Sequence, residues 1–156
     1  MTEEQAESRF WELCEKIDKE DTIESSVPDL EPSLSQLLDF IKSQPCHTEM
    51  FSRCFRQLGI GQKTYTSWII LFCMRDLRYP EVQFAVNENF ARLGGPSKAP
   101  RWMNFVSAIN WVYDESPWED ALFFKYYWQR EHPNNLGLAQ NNSNSWSDVV
   151  RPIAVD

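Results

Sequence analysis

Four carboxylates, Asp114, Glu115, Glu119 and Asp120, bracket Ser116 and Pro117 in the 156-residue chain. Acids at this spacing can coordinate a cation or divide into a proton donor and a proton acceptor. A simpler chemistry fits the same residues. Ser116, Pro117 and Glu119 supply the cap, first helical proline and capping-box acid of a helix, and carboxylates at a helix N-terminus complement its dipole and backbone donors. A third chemistry is recognition: Trp118, with Tyr113 nearby, places an aromatic anchor among the acids, a combination that suits a basic protein partner. Asp114, Glu115, Trp118, Glu119 and Asp120 are therefore the expected partner-binding residues.

Other reactive side chains are sparse. Cys14, Cys46, Cys54 and Cys73 stand at irregular spacings with no C-x-x-C pair, and only His47 and His132 are available to complete a metal site. Cys46, His47 and Cys54 offer three ligands in principle; buried reduced thiols, which pack as small hydrophobes, are the expected state. Reduced thiols imply a reducing compartment, here the cytoplasm. The sequence has no G-x-S-x-G, no phosphate-cradling glycine loop and no H-E-x-x-H, and Gly59-Ile60-Gly61 follows a helix where a dinucleotide loop would follow a strand. Neither a catalytic residue nor a cofactor is expected.

Charge is unevenly distributed. Residues 1–32 hold eleven acidic and three basic side chains, which accounts for the whole net charge of −8. Between Arg53 and Arg101 the balance reverses, with eight basic residues against three acidic ones. Those cations suggest a basic face, but nucleic-acid binding is driven by neutralising phosphates and an acidic N-terminal helix would oppose it. Internal pairing of that helix with the basic segment is the expected arrangement, and no nucleic acid is expected as partner. No membrane is expected either: the longest apolar run, Trp68 to Met74, is far short of the roughly 20 residues that cross a bilayer, and the acidic N-terminus lacks the features of a secretion signal.

The elements that must position these residues read as helices. Thr2 and Gln5 form a capping box for a helix to Lys19, apolar through Phe10, Leu13, Cys14 and Ile17. Asp21 to Pro32 has two prolines and turn formers and reads as a linker, after which Ser33 and Gln36 cap a short helix ending before Pro45. His47 to Leu58 follows, closed by Gly59 and Gly61. The stretch Thr64 to Tyr79 is apolar around most of its circumference and so predicts a helix buried on several sides. Pro80 and Pro100 each open a further helix, and Pro117 opens the last. Pro133 to Ser145 reads as a polar loop, and Trp146 to Val155 as a strip on the body or a tail. The expected domain is 1–132, with an acidic helix 1–20, a linker 21–32 and a loop and tail 133–156.

F-x-x-L-G occurs at Phe55–Gly59 and again at Phe90–Gly94, with Lys63 and Lys98 at the same offset and Trp68 and Trp102 after each copy. This spacing resembles stacked helical hairpins of the TPR or HEAT kind. The expected fold is all-α, a single domain of six or seven helices, arranged as a hairpin stack or as an irregular bundle. In general character the chain is similar to the small immunity proteins that neutralise toxins, a similarity of class without a shared motif. It implies a non-enzymatic inhibitor that occludes a basic toxin or effector. The alternatives are a helical-repeat adaptor gripping a peptide or helix near Arg56, Arg75 and Arg92, and an enzyme or metal protein using the carboxylate cluster.

Overall fold

A computed structural model describes residues 1–114. Among the described residues there are seven α-helices and no strand: α1 Glu3–Glu20, α2 Val27–Lys42, α3 Thr48–Gly59, α4 Trp68–Leu77, α5 Pro80–Arg92, α6 Gly95–Lys98 and α7 Pro100–Asp114, with a 3-10 turn at Pro45–His47 ahead of α3.

The main packing pairs define two layers. Within hairpins, α1 packs on α2, α3 on α4 and α5 on α7; between hairpins, α1–α3–α5 form one layer and α2–α4–α7 the other. The result is a two-layered helical bundle in a single all-α domain. Its middle hairpin explains the apolar circumference of α4. Touched by α2, α3 and α7, α4 has every residue from Ile69 to Arg75 buried.

An aromatic cluster joins the first two hairpins. Phe10 of α1 meets Phe51 and Phe55 of α3 at ring-centroid distances of 5.8 and 5.2 Å, and Phe40 of α2 meets Phe51 at 6.0 Å. Phe10, Phe51 and Phe55 are fully buried, so this apolar area is a main source of cohesion. Polar contacts then fix neighbouring helices. Arg53 pairs with Glu7 at 2.8 Å (α3 to α1), Lys42 with Asp76 at 2.8 Å (α2 to α4), and the Ser52 hydroxyl donates to Glu81 Oε1 at 2.7 Å (α3 to α5). Between α5 and α7 the amides interlock: Asn87 Nδ2 and Gln83 Nε2 donate to Asn110 Oδ1, and Asn110 Nδ2 donates back to Asn87 Oδ1. Such directional contacts set register more than they add stability.

Most expected boundaries hold, including the Thr2–Gln5 capping box and the helices opened by Pro80 and Pro100. The linker is shorter than its composition suggests. Residues 27–32 belong to α2, and only 21–26 connect it to α1. The cap is Ser26, whose N–H and hydroxyl donate to Asp29 Oδ2 at 2.8 and 2.9 Å, rather than Ser33. Pro28 sits in the first turn, where backbone N–H groups have no helical acceptor, and exposed Pro32 forfeits one bond. Leu30, Leu34, Leu37, Leu38 and Ile41 are all buried, and burying Leu30 on that stripe outweighs the lost bond. The central helix begins at Trp68 rather than Thr64, because residues 64–67 form the end of a loop described below. The expected boundary at residue 132 and the loop and tail 133–156 lie outside the described residues.

The two F-x-x-L-G copies end equivalent helices, α3 and α5, in the same layer, but their glycines differ. Gly59 is the last helical residue and its Cβ position lies 2.6 Å from Val86 Cγ2, so α3 and α5 approach closely there; Gly94 lies beyond α5, with φ +105°.

Candidate binding cleft

An open cleft of about 830 Å³ lies between the loop joining α3 to α4 and the first half of α7. Its walls come from the second and third hairpins. Leu58, Ile70 and Leu71 line it from α3 and α4, Trp102, Phe105 and Ala108 from α7, and Lys63 to Ser67 from the loop. The volume is in the range of ligand and side-chain sites.

The loop's conformation follows from its residues. Gly61 takes φ +82°, and its Cβ position lies 3.0 Å from Trp102 Cη2, so both the turn and the contact require glycine. The N–H groups of Gln62 and Lys63 both donate to the Gln57 carbonyl, closing α3. At the far end the N–H of Thr66 donates to Asp18 Oδ1 at 2.7 Å and its hydroxyl to the Asp21 carboxylate at 2.5 Å. Between these ties, Tyr65 stacks on Trp11 with ring centroids 6.0 Å apart, and Lys63 Nζ stands 5.3 Å from the Trp11 ring centroid. The loop is thus held to α1 by two hydrogen bonds, a stack and a cation–π contact. Burial pushes the Tyr65 phenol up from its ordinary value.

On the opposite wall, Trp102 and Phe105 meet edge to face at 6.0 Å. Among the described residues the cleft is lined by two cations, Lys63 and Arg101, and by no carboxylate. Chemically it can shelter large apolar side chains and pair with anions. A smaller cleft of about 300 Å³ between α3 and α5 is lined by Arg56, Glu81, Phe84, Glu88 and Arg92, with Phe84 68% exposed.

Of the expected partner-binding residues, Asp114 is exposed as the last residue of α7. It lies thirteen positions along the helix from Arg101, about 20 Å along the axis, so it stands at the other end of the helix from the cleft. Glu115, Trp118, Glu119 and Asp120 lie outside the described residues, as does Ser116. The arginines expected to share a groove divide: Arg56 and Arg92 line the smaller cleft, whereas Arg75 is buried in α4 with its guanidinium 5.4 Å from the Trp111 ring centroid. Cations of the basic segment meet α1 as expected, through Arg53–Glu7 and Lys63–Trp11.

The three ligands available in principle, Cys46, His47 and Cys54, are not brought together: Cys54 is buried, as expected of a reduced thiol, whereas Cys46 is exposed, contrary to that expectation. Among the described residues no group of three His, Cys, Asp or Glu side chains is arranged to hold a metal. Burial pushes the thiols of Cys14, Cys54 and Cys73 up, Cys54 to about 12, so these three are protonated at neutral pH and are poor nucleophiles. No helix of the described residues is long and apolar enough to cross a membrane.

The cleft had a sequence signal: the polar run Lys63 to Ser67 separates two apolar helices, and Lys63 and Trp102 both lie in the repeat alignment. Comparison with known proteins gives no match, whether to a protein family, a curated protein or a solved structure.

Proposed function

We propose that this chain is a non-enzymatic protein-binding module, whose cleft between the α3–α4 loop and α7 receives a segment of a partner protein. The observation that carries the reading is the cleft's construction. It is open, walled by Trp102, Phe105, Ile70 and Leu71, and its loop is braced by Asp18, Asp21 and Trp11. A preorganised apolar wall with few polar groups favours binding because little ordering remains to be done on association. The protonated buried thiols and the scattered acids of the described residues supply no evident nucleophile or acid–base pair. Reduced cysteines favour a cytoplasmic location.

A photo-crosslinking amino acid at Asn104, which lines the cleft, tests the assignment in the native host. The expected result is one discrete adduct with a second protein, absent when the probe stands at exposed Asp39 of α2. Equal adducts from both positions, or none, would sink the cleft as the site.

A second reading is inhibition of a basic toxin or effector through an acidic surface. It is favoured by the exposed Glu3, Glu4, Glu12, Glu15 and Glu20 of α1 and by exposed Asp114, since acids steer association with a basic partner. Replacing Asp114, Glu115, Glu119 and Asp120 by Lys separates the two readings. Inhibition requires loss of the partner and of the salt-sensitive association rate; unchanged binding removes that surface from consideration.

A further inference from the structure

Resting on the reading of this chain as a protein-binding module, we infer that the occupant of the cleft is an acidic segment of the partner, carrying a large apolar side chain among its carboxylates. The argument is one of charge complementarity. In a chain of net charge −8, the described residues that line this cleft include Lys63 and Arg101 and no acid. Two acids at the end of α1 are already engaged, Asp18 and Asp21 both accepting from Thr66. Among the described residues neither Lys63 nor Arg101 forms an ion pair.

Their placement strengthens the case. Lys63 is held over the Trp11 ring, so its ammonium is positioned before any partner arrives. Arg101 is in the first turn of α7, the helix end where a cation opposes the dipole and an anion is favoured. A carboxylate from outside satisfies both the guanidinium and the helix terminus. The two cations come from different elements, the loop and α7, so a segment crossing the cleft can pair with both while its apolar side chain enters between Trp102 and Ile70. An open cleft would leave a small molecule half in water, whereas a polypeptide segment covers it. Two cations are too few to hold a nucleic acid against the acidity of the whole chain.

The test is selection of a phage-displayed random peptide library on the full chain, with Lys63→Glu/Arg101→Glu, the milder Lys63→Gln/Arg101→Gln, and the cleft-filling Ala108→Trp as comparison proteins, all checked for an unchanged far-UV spectrum. The expected peptides carry Asp or Glu beside Trp, Phe or Leu, and are lost on Ala108→Trp. They weaken by about tenfold or more on Lys63→Glu/Arg101→Glu, by less on the glutamine pair, and further as salt rises. Peptides that are lost on Ala108→Trp but are neutral or basic, or are indifferent to both charge variants, would overturn the acidic assignment while leaving the cleft as a binding site. Peptides that survive Ala108→Trp, or no enrichment at all, would overturn the cleft and the acidic occupant together.

Discussion

At the level of single residues, the Ser52–Glu81 hydrogen bond shows how a layer of the bundle responds to acid. Ser52 is fully buried and donates to Glu81 Oε1, and this bond, ahead of the backbone N–H of Glu81 itself, holds the Glu81 carboxyl below the ordinary value of 4.5. A carboxylate with a lowered folded-state pKa contributes stability that is present above the ordinary value and is lost as pH falls through the lowered one. Urea unfolding across a pH series should therefore show stability declining below about pH 4.5, with Asp29, lowered by its bond from the Ser26 N–H, acting in the same direction. Glu81→Gln should cost about 1 kcal/mol at neutral pH and flatten that decline. An unaltered slope would show that the bond to Ser52 is not formed in solution. None of this was legible in the sequence, where Ser52 and Glu81 are 29 positions apart and nothing marks them as partners.

Between elements, the approach of α3 to α5 depends on a missing side chain. Gly59 ends α3 with its Cβ position 2.6 Å from Val86 Cγ2. Alanine is the better helix former by about 1 kcal/mol, yet overpacking a tight contact costs about 1–3 kcal/mol. Gly59→Ala should lower the melting temperature, and Val86→Ala should be less costly in the Gly59→Ala background than alone. Additive losses would show that the helices stand further apart. Of the two glycines expected to close α3, Gly61 takes the left-handed conformation, whereas Gly59 stays helical and serves the close approach to α5. Local rules misplaced the start of α2. Two prolines outweighed Leu30 in the linear reading, whereas in three dimensions Leu30 lies on the buried stripe with Leu34, Leu37, Leu38 and Ile41. Burial is a tertiary quantity, and where it competes with a local signal the local signal loses.

Across the whole molecule, the all-α class was legible from helical spacing and caps, and the hairpin stack was one of two arrangements that this spacing allowed. The contacts α1–α3–α5 and α2–α4–α7 give the helical bundle two layers. Of the acids expected to form the site, Asp114 ends α7, while the cleft is built at the beginning of that helix from residues on two hairpins. No linear motif announces such a site, because its walls become neighbours only through packing. The bond from the Thr66 N–H to Asp18 Oδ1 spans 48 positions and ties the loop edging that cleft to α1. Anything that steadies the loop must then also steady α1, and by reciprocity a firmly docked α1 must raise affinity at the cleft. Backbone amides of α1, which lies outside the cleft lining, should therefore exchange with deuterium more slowly when the cleft is filled. Asp18→Ala and Asp21→Ala together, which remove both acceptors, should reduce that protection while leaving the cleft walls in place. The first hairpin would then act as a remote gauge of occupancy at the second and third.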